Sequence, residues 1–552
     1  MASKDSSSNP NAPAEWGGAV HGVRLYLGAV GLGLALFLTC LEATISKQLD
    51  HYIVSAHLYW SVFVPLEIGV KRGYSAGAKL IFLTVGFLIV WSNCSTILGV
   101  KFAVLASLFL FVVFSAGCAA SQTLSQLIIF RAFQGLGGAG VYSLTLFSFV
   151  RIVPYKHFDK VSSLAGGISS LGLVLGPLLG GAIANSGSWR WVFLYNVPAG
   201  AISWVLIFCT IPSHFPNPPS GELSPTRKRQ NWQTTKSFFG RVDIPGTLLT
   251  LSASSFIIAA LQEGNSEYAW SSGLVISFFV IAGLSWFGFI WWEWFISTRG
   301  PATTPMFPWW LTQNRIFMGV ILGFFTTGLP LFVCIINVPQ RFQIVNGSTP
   351  IGAGVKLLSF SVSCPLGIIA CSILAGRLAI PFTYITLAGI ACEITGLFLY
   401  SEISPATHLW LGQFGYLVLA GLGVGLSVAA FYMAAPLVVD QKDQAAAVGI
   451  GIQFRTLGGV LGVAASTSIL NHYLKSRLAS ILGPSELAAL LKTTQFIRAL
   501  SPDVQVRVQE VYALAYGAQM KLAGAFSVAQ LLAVAMMWKT ENVRFSKPKQ
   551  SH

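Results

Sequence analysis

Among the ionisable residues inside apolar stretches of the sequence, four are candidates for function. Glu42 stands in "LTCLEATIS" and Arg131 in "LIIFRAFQGLGGAG", while Glu393 and Arg455 lie in two later apolar stretches. A charged side chain at the centre of a bilayer costs at least about 2.5 kcal/mol on insertion scales. We interpret Arg131 as a charge that faces a watery cavity close to a proton-carrying carboxylate. A structural arginine that binds the carbonyl groups of a broken neighbouring helix is the alternative.

The other intramembrane charges leave more than one interpretation open. Glu42 is a proton acceptor or substrate contact, or else a carboxylate at a helix end that points into an outer aqueous vestibule. Glu393 and Arg455 are a buried pair or independent anchors, and a structural role is favoured for Glu393. Asp243 and Asp443 each precede an apolar stretch, so we predict that they cap helix N-termini.

The composition indicates a membrane protein. The 552-residue chain is 54% hydrophobic, its mean hydropathy is +0.67, and 10% of its residues are charged, whereas soluble proteins carry about a quarter. The net charge of +15 would suggest nucleic acid on a soluble protein. Here the basic residues lie mostly between apolar runs, so they indicate membrane topology and no nucleic-acid partner.

The sequence lacks the motifs of several enzyme classes. It has no Walker loop, no HExxH, no GxSxG and no cluster of His and Cys, so ATP-driven pumping by this chain alone is not expected. Its eight cysteines form no CxxC pair and lie in or beside apolar runs. We interpret them as small buried hydrophobic residues. The sequence therefore predicts no enzyme activity, no cofactor and no metal site.

Apolar runs of about 20 residues predict fourteen transmembrane helices. They cover residues 25–46, 77–98, 102–121, 125–150, 162–185, 191–211, 244–262, 272–295, 316–338, 351–376, 381–401, 409–432, 445–469 and 520–537. The fold class is thus an all-α polytopic membrane protein. The fairly apolar stretch 52–70 is interrupted by charges and is predicted to be a loop or re-entrant segment.

The polar segments divide the chain into two six-helix bundles and two extra central helices. The predicted parts are a disordered cytosolic tail (1–24), an N-terminal six-helix bundle (25–211), a basic cytosolic linker (212–242), two extra transmembrane helices (243–295), a C-terminal six-helix bundle (315–537) with a long outer segment (470–519), and a cytosolic tail (538–552). The even number of spans puts both termini on one side. The distribution of Lys and Arg assigns that side to the cytosol.

Glycines in the predicted fifth span share one helix face. Gly172, Gly176 and Gly180 are spaced by four residues, Gly181 follows, and Pro177 bends the helix. Overlapping GxxxG patterns let another helix backbone approach closely in lipid. We predict that this face contacts a helix of the other half, span 351–376. The GxxxG pattern does not distinguish a helix that packs statically on this face from one that slides along it.

Several motifs resemble those of a known family. "GLVLGPLLGG" looks like the span-five signature of proton-linked antiporters of the major facilitator superfamily. "RAFQGLGGAG" looks like its span-four signature, with Arg131, Gln134 and Gly135 in the expected places. "WRWVFLYNVPAG", "RVDIPGTLLTL" and "FRTLGGVLGVA" resemble the fourteen-span drug:proton antiporter branch, especially its fungal members. The resemblance covers about 75–540.

The resemblance implies two six-helix bundles around a mid-membrane cavity, with alternating access driven by the proton gradient. It implies export of a small amphiphilic compound by a monomer in the plasma membrane, with the vacuolar membrane as the alternative. The residues it implies for proton coupling and the substrate cavity are Glu42, Arg131, Gln134 and Arg455. Two other functions remain open: a fourteen-span importer, for example of iron-siderophores, and a non-transporting membrane sensor.

The loop after the second span departs from the family pattern. In "SNCSTILGVK", Gly99 and Lys101 match, but Thr96 stands where Asp is expected and Val100 where Arg is expected. Arg377, in "AGRL", holds the matching position in the second half. We predict a weaker or different cytosolic gate at these residues. The stretch 46–74 also does not match the family.

Overall fold

A computed structural model describes most of the helical part of the chain. It covers residues 23–54, 98–152, 190–212, 243–264, 268–299, 305–403, 410–440, 443–483 and 500–539, with scattered residues between these ranges. The helices are α1 (Val23–Val54), α2 (Val100–Ala120), α3 (Leu124–Ile152), α4 (Trp191–Leu194), α5 (Asn196–Thr210), α6 (Ile244–Glu263), α7 (Gly273–Arg299), α8 (Trp309–Thr312), α9 (Arg315–Ile344), α10 (Pro350–Gly376), α11 (Phe382–Ser401), α12 (Gln413–Ala434), α13 (Gln444–Leu478) and α14 (Pro502–Met537).

These helices confirm the predicted all-α architecture. Twelve of the fourteen predicted spans coincide with helices, α4 and α5 together filling one of them. The other two, 77–98 and 162–185, lie mostly outside the described residues, so the number fourteen stays a prediction. Within the described chain, 11 helical segments are long and apolar enough to cross a membrane.

The helix ends lie on two sides of the molecule. We call the side where α5 ends and α6 begins the linker end, because the linker 212–242 joins them there. Side chains bond to backbone carbonyl groups at this end. Lys101 Nζ donates to the Phe208 carbonyl at 2.7 Å, Asn314 to the Val438 carbonyl at 2.7 Å, and Arg315 to the Trp538 carbonyl at 2.6 Å. We call the opposite side, where α2 is followed by α3, the distal end.

The first half packs α1 against α5 and α2 against α3. Its apolar core draws on all four helices and includes Leu36, Val104, Leu144, Phe149 and Ile207. Small residues set the spacing. A side chain on Gly137 of α3 would come within 2.8 Å of the Ser107 carbonyl oxygen of α2, so these two helices touch at their backbones.

The second half brings helix backbones together in the same way. The helix α9 packs against α13 and α14, while α12 packs against α10 and α11. A Cβ on Gly328 of α9 would overlap the carbonyl oxygen of Arg455, and one on Gly458 of α13 would overlap that of Phe325. The glycines of "FRTLGGVLGVA" therefore fix the closest helix contact of this half.

The two extra central helices lie on the second half. α6 and α7 pack against each other, and α6 also packs against α13. Ile258 of α6 shares an apolar cluster with Leu457 and Val460 of α13. Phe289 of α7 shares another with Phe317 of α9 and Ile450 of α13.

The two predicted N-caps have different contacts. Asp243 caps α6 as predicted, since its Oδ1 accepts from the Gly246 amide at 2.8 Å. Asp443 holds the N-cap position of α13, but its side chain makes no capping hydrogen bond. Instead its Oδ2 accepts from the indole nitrogen of Trp310 at 2.9 Å. The carboxylate of Asp443 thereby ties α13 to α8.

Helices extend into the segment 470–519, which was predicted as a long outer segment. α13 continues to Leu478 and α14 begins at Pro502. Their distal ends share an apolar cluster that includes Leu474, Leu478, Val508 and Tyr512. The helices therefore extend beyond the predicted spans 445–469 and 520–537, because hydropathy marks only all-apolar runs and these extensions bury apolar residues on one face. The outer location of 470–519 stays a prediction.

The prediction that the span-five glycines contact span 351–376 is wrong at Gly172. The atoms nearest to a Cβ at this position belong to α1: Cys40 Cβ at 2.8 Å, the Phe37 carbonyl oxygen at 2.9 Å and the Leu41 amide nitrogen at 3.0 Å. Gly176 is also buried. Pro177, Gly180 and Gly181 lie outside the described residues. GxxxG shows that a backbone approaches, but it does not show which helix provides that backbone.

Replacing Gly328 by Ala should destabilise the protein by about 1–3 kcal/mol, because the new methyl group overlaps the α13 backbone. Thermal unfolding of the purified full chain in detergent measures this. The matched control is Gly283→Ala on α7, where a Cβ meets no atom within 4 Å and alanine should stabilise the helix by about 0.5–1 kcal/mol. Equal melting temperatures for the two variants would contradict the close α9–α13 contact.

Candidate functional site

A buried ion pair joins α1 to α3 in the distal half of the first bundle. Arg131 Nη1 donates to Glu42 Oε1, and each residue is 3% exposed. The other carboxylate oxygen accepts from Asn196 Nδ2 at 2.7 Å and from the Tyr195 hydroxyl at 3.3 Å. Glu42 thus lies inside the protein, which does not fit the alternative of a carboxylate in an open vestibule.

The arginine has further contacts on its own side. Its Nη1 also donates to Gln134 Oε1 at 2.8 Å, one helical turn further along α3. Gln134 in turn donates through Nε2 to the Ser115 hydroxyl of α2 at 2.7 Å. The Phe193 ring centroid is 5.0 Å from the Arg131 Cζ atom. The network therefore links α1, α2, α3 and the α4–α5 segment.

This arrangement can couple a proton to helix packing. An ionised Glu42 balances the charge of Arg131, whereas a protonated Glu42 leaves the guanidinium without its counter-charge in a dry site. Gln134 can then accept from Arg131, while Asn196 and Tyr195 can still donate to the neutral acid. Binding one proton would therefore change how tightly α1 and α3 are held together.

The second buried arginine joins the two halves. Arg455 of α13 donates through Nη2 to the Tyr142 hydroxyl of α3 at 2.6 Å. Its Cζ atom lies 5.4 Å from the Tyr432 ring centroid and 6.0 Å from that of Tyr142. Phe324 packs edge-on against Tyr432, with centroids 4.9 Å apart. We call Arg455, Tyr142, Tyr432 and Phe324 the aromatic box.

An apolar contact between the halves lies beside the aromatic box. Ala139 of α3 packs with Val448 and Ile452 of α13, and Tyr142 and Tyr432 border this cluster. Tyr142 and Arg455 both lie well inside their helices, so the box lies near the middle of the spans. A cationic centre lined by aromatic faces suits a ligand that has both apolar rings and an acceptor oxygen.

Glu393 and Arg455 are independent anchors and do not pair. Glu393 of α11 is fully buried and accepts from the Ser527 hydroxyl at 2.8 Å and from Gln530 Nε2 at 2.6 Å. Both donors are on α14. Glu393 therefore joins α11 to α14 inside the second half, in line with the structural role favoured for it.

The predicted gate residues lie at the linker end. Gly99 has φ of 90° and precedes α2, a conformation that favours glycine. Lys101 contacts α5 of its own half through the Phe208 carbonyl and ring. Arg377 is exposed at the end of α10. Thr96 lies outside the described residues. A gate role for this set stays a prediction.

Sequence reasoning missed four polar partners at these sites: Tyr142, Tyr195, Asn196 and Tyr432. Tyr195 lies in the motif "WRWVFLYNVPAG" and its hydroxyl donates to Glu42. The one available signal was Asn196, an amide at the start of an otherwise apolar helix. The two tyrosines near Arg455 carry no sequence signal, because their ring faces contact a residue more than 20 positions away in the chain.

Known proteins resemble this chain over almost its full length. The family model described as Major Facilitator Superfamily matches residues 66–463. The chain is 37% identical to the MFS-type transporter FPY5 of Fusarium mangiferae, over 94% of this chain and 84% of the relative. It is 26% identical to the efflux pump aflT of Aspergillus parasiticus, over 96% and 98% of the two chains.

The fold is also that of a solved transporter. The structure of a bacterial homologue of the human lysosomal transporter Spinster, inward-facing and unoccupied, matches with a TM-score of 0.54 at 13% identity. The match covers 94% of this chain and 100% of that one. Together with the 11 apolar helical segments, this likeness supports a multi-pass membrane protein. Since the family model covers most of the sequence and a 37% identical relative nearly all of it, the chain belongs to the major facilitator superfamily.

Proposed function

We propose that this protein exports a small amphiphilic organic compound in exchange for protons, by alternating access of a site between its halves. The observation that carries the proposal is the buried Arg131–Glu42 pair, a carboxylate and its counter-charge within an apolar bundle. Relatives named as efflux pumps support the direction. Besides aflT they include the thioclapurine efflux transporter tcpA of Claviceps purpurea, 25% identical over 98% of this chain.

The proposed orientation puts both termini in the cytosol and the distal end outside, in the plasma membrane. Basic residues are concentrated at the linker end and in the linker 212–242, which supports a cytosolic linker end. Glu42 then lies in the outer half of the membrane. Protons that enter from outside would reach it first, as an exchange of incoming protons for outgoing substrate requires.

The proposed cargo site is the aromatic box. Arg455 offers a guanidinium, and Tyr142 and Tyr432 offer ring faces next to it. A compound with fused or aromatic rings and a carbonyl or phenolate oxygen could replace Tyr142 as the partner of Arg455. Substrate binding would then break a contact between the halves and free them to move relative to each other.

Charge removal at the ion pair should abolish gradient-driven transport. We expect Glu42→Gln to lose accumulation driven by an imposed pH gradient while keeping downhill exchange, because the amide cannot take up a proton. Arg131→Ala alone strands a buried carboxylate and should cost about 3–5 kcal/mol of stability. The double variant Glu42→Gln with Arg131→Gln avoids this and should fold, yet it should still be uncoupled.

Proteoliposomes with an imposed pH gradient measure this, with an anionic fluorescein ester and a cationic rhodamine ester as probes. The matched control is Arg507→Gln, an exposed arginine near the start of α14. Gradient-driven movement that persists in the double variant would contradict the coupling role. Accumulation in the opposite direction would favour the importer, and no movement of either probe by well-folded protein would favour the sensor.

Substitutions in the aromatic box should change the affinity for the cargo and leave the coupling of transport to protons unaffected. Loss of a hydrogen bond to a charged group costs about 1.5–3 kcal/mol, so Arg455→Gln should weaken binding of the anionic probe by about 10- to 100-fold. Tyr432→Phe keeps the ring and should change affinity little. Fluorescence titration of the purified protein measures both. Unchanged affinity in Arg455→Gln would remove Arg455 from the cargo site.

A further inference from the structure

Two further carboxyl groups meet at the linker end of the central helix pair. Asp243 caps α6 and is fully buried, and Glu293 lies two turns before the end of α7 and is 2% exposed. The Glu293 carboxyl lies close enough to that of Asp243 for the two to interact electrostatically, and Trp292, its neighbour on α7, donates to Asp243 Oδ1 at 2.7 Å. Neither residue belongs to the Glu42 network or to the aromatic box. We call Asp243 and Glu293 the carboxyl pair.

The carboxyl pair has fewer donors than it has oxygens. Asp243 Oδ1 accepts from the Gly246 amide at 2.8 Å and from the Trp292 indole nitrogen at 2.7 Å. The second oxygen of Asp243 and both oxygens of Glu293 are buried without a well-formed hydrogen bond, although the backbone amides of Met306 and Phe307 approach Glu293. Buried carboxylate oxygens are normally hydrogen-bonded, so three unsatisfied ones together indicate a bound species.

The surroundings supply no cation among the described residues. Met306, Phe307 and Phe289 form the apolar side of the site, with Phe317 and Ile321 of α9 and Ala447 and Ile450 of α13. Other ionisable groups on the packed elements have their own contacts: Asp443 accepts from Trp310, Arg299 lies over the Phe295 ring, and Arg315 donates to the Trp538 carbonyl. In the described part of the chain, neither member of the carboxyl pair forms a salt bridge.

A shared proton would supply the missing hydrogen-bond donor and would also reduce the repulsion between the two carboxyl groups. Two ionised carboxylates side by side in a dry site repel each other, and both can only accept hydrogen bonds. One proton removes one charge and supplies the missing donor, as in other carboxyl dyads. A divalent metal would need more ligands, and the described residues hold no group of three metal-binding side chains.

We propose that Asp243 and Glu293 share one proton and form a proton-binding site that holds α6 against α7 at the linker end. The step is a simple protonation: a carboxylate oxygen takes a proton from water, and nothing is oxidised or transferred further. Losing that proton would put two like charges between α6 and α7, directly after the linker 212–242. This site is separate from the proposed coupling carboxylate and does not depend on transport.

Infrared spectroscopy of the full-length protein in lipid nanodiscs tests the shared proton. At neutral pH we expect a carbonyl band of a protonated carboxyl group that shifts in heavy water. Either Asp243→Asn or Glu293→Gln alone should remove one such band, seen in the difference spectrum against the wild type, because the remaining carboxyl then ionises beside an amide donor. Asparagine caps helices about as well as aspartate, so Asp243→Asn should fold. Glu510→Gln, an exposed glutamate of α14, is the control.

The pH dependence of thermal unfolding gives a second readout. A proton held more tightly in the folded than in the unfolded state stabilises the protein at low pH, and that stability is lost as pH rises. The melting temperature of the wild type should therefore fall toward alkaline pH more steeply than that of Glu293→Gln. The amide of that variant donates to Asp243 at every pH.

Three results would overturn the proposal. A carboxyl region of the spectrum that neither single substitution changes would show that the pair holds no proton. Stabilisation by Na⁺ or K⁺ that both substitutions abolish would make the carboxyl pair a metal-cation site. Finally, Arg241 precedes Asp243 by two positions and lies outside the described residues. If the band is absent from the wild type and emerges only in Arg241→Gln, that arginine neutralises the pair and no proton is shared.

Discussion

The absence of water from the bilayer core is the constraint on which this structure depends, because every charge within it must find its partner inside the protein. The chain meets this requirement in three ways. Glu42 and Arg131 neutralise each other, Arg455 uses a phenol and two ring faces, and Glu393 uses a hydroxyl and an amide. Each solution joins particular helices, so the placement of the charges also decides which helices must lie together.

Contacts within a half and contacts between the halves differ in kind. Inside the second half, α9 and α13 touch backbone to backbone at Gly328 and Gly458, a contact that cannot lengthen without opening a void. Between the halves, the described contacts come from side chains such as Tyr142 and Arg455, whose hydrogen bond can be exchanged for another. Helices of the second half are therefore fixed by backbone contact, whereas the hydrogen bond between the halves can be exchanged for another.

Features that depend on residue type alone, such as the buried charges, could be predicted from the sequence. The helices and side chains that contact them could not, because those partners are distant in the chain. The sequence located Glu42 and Arg131, because a charge in an apolar run is visible in one dimension. It did not show that Gly172 packs on α1, since a glycine face accepts any backbone that reaches it. Glu293 was missed because, in "WWEWFISTR", it stands near the end of an apolar run, where a charge needs no explanation. Its burial arises from the segment at Met306, which no local pattern predicts.

The length of α13 has a mechanical consequence. Its 35 residues make a rod of about 50 Å at 1.5 Å per residue, longer than the roughly 30 Å hydrocarbon core. The rod contains Arg455 at the interface between the halves, and at its far end Leu478 packs against α14. A small tilt of α13 near its middle therefore produces a larger displacement at its C-terminal end. A tilt of α13 at the interface would therefore displace the distal ends of α13 and α14, which pack against each other.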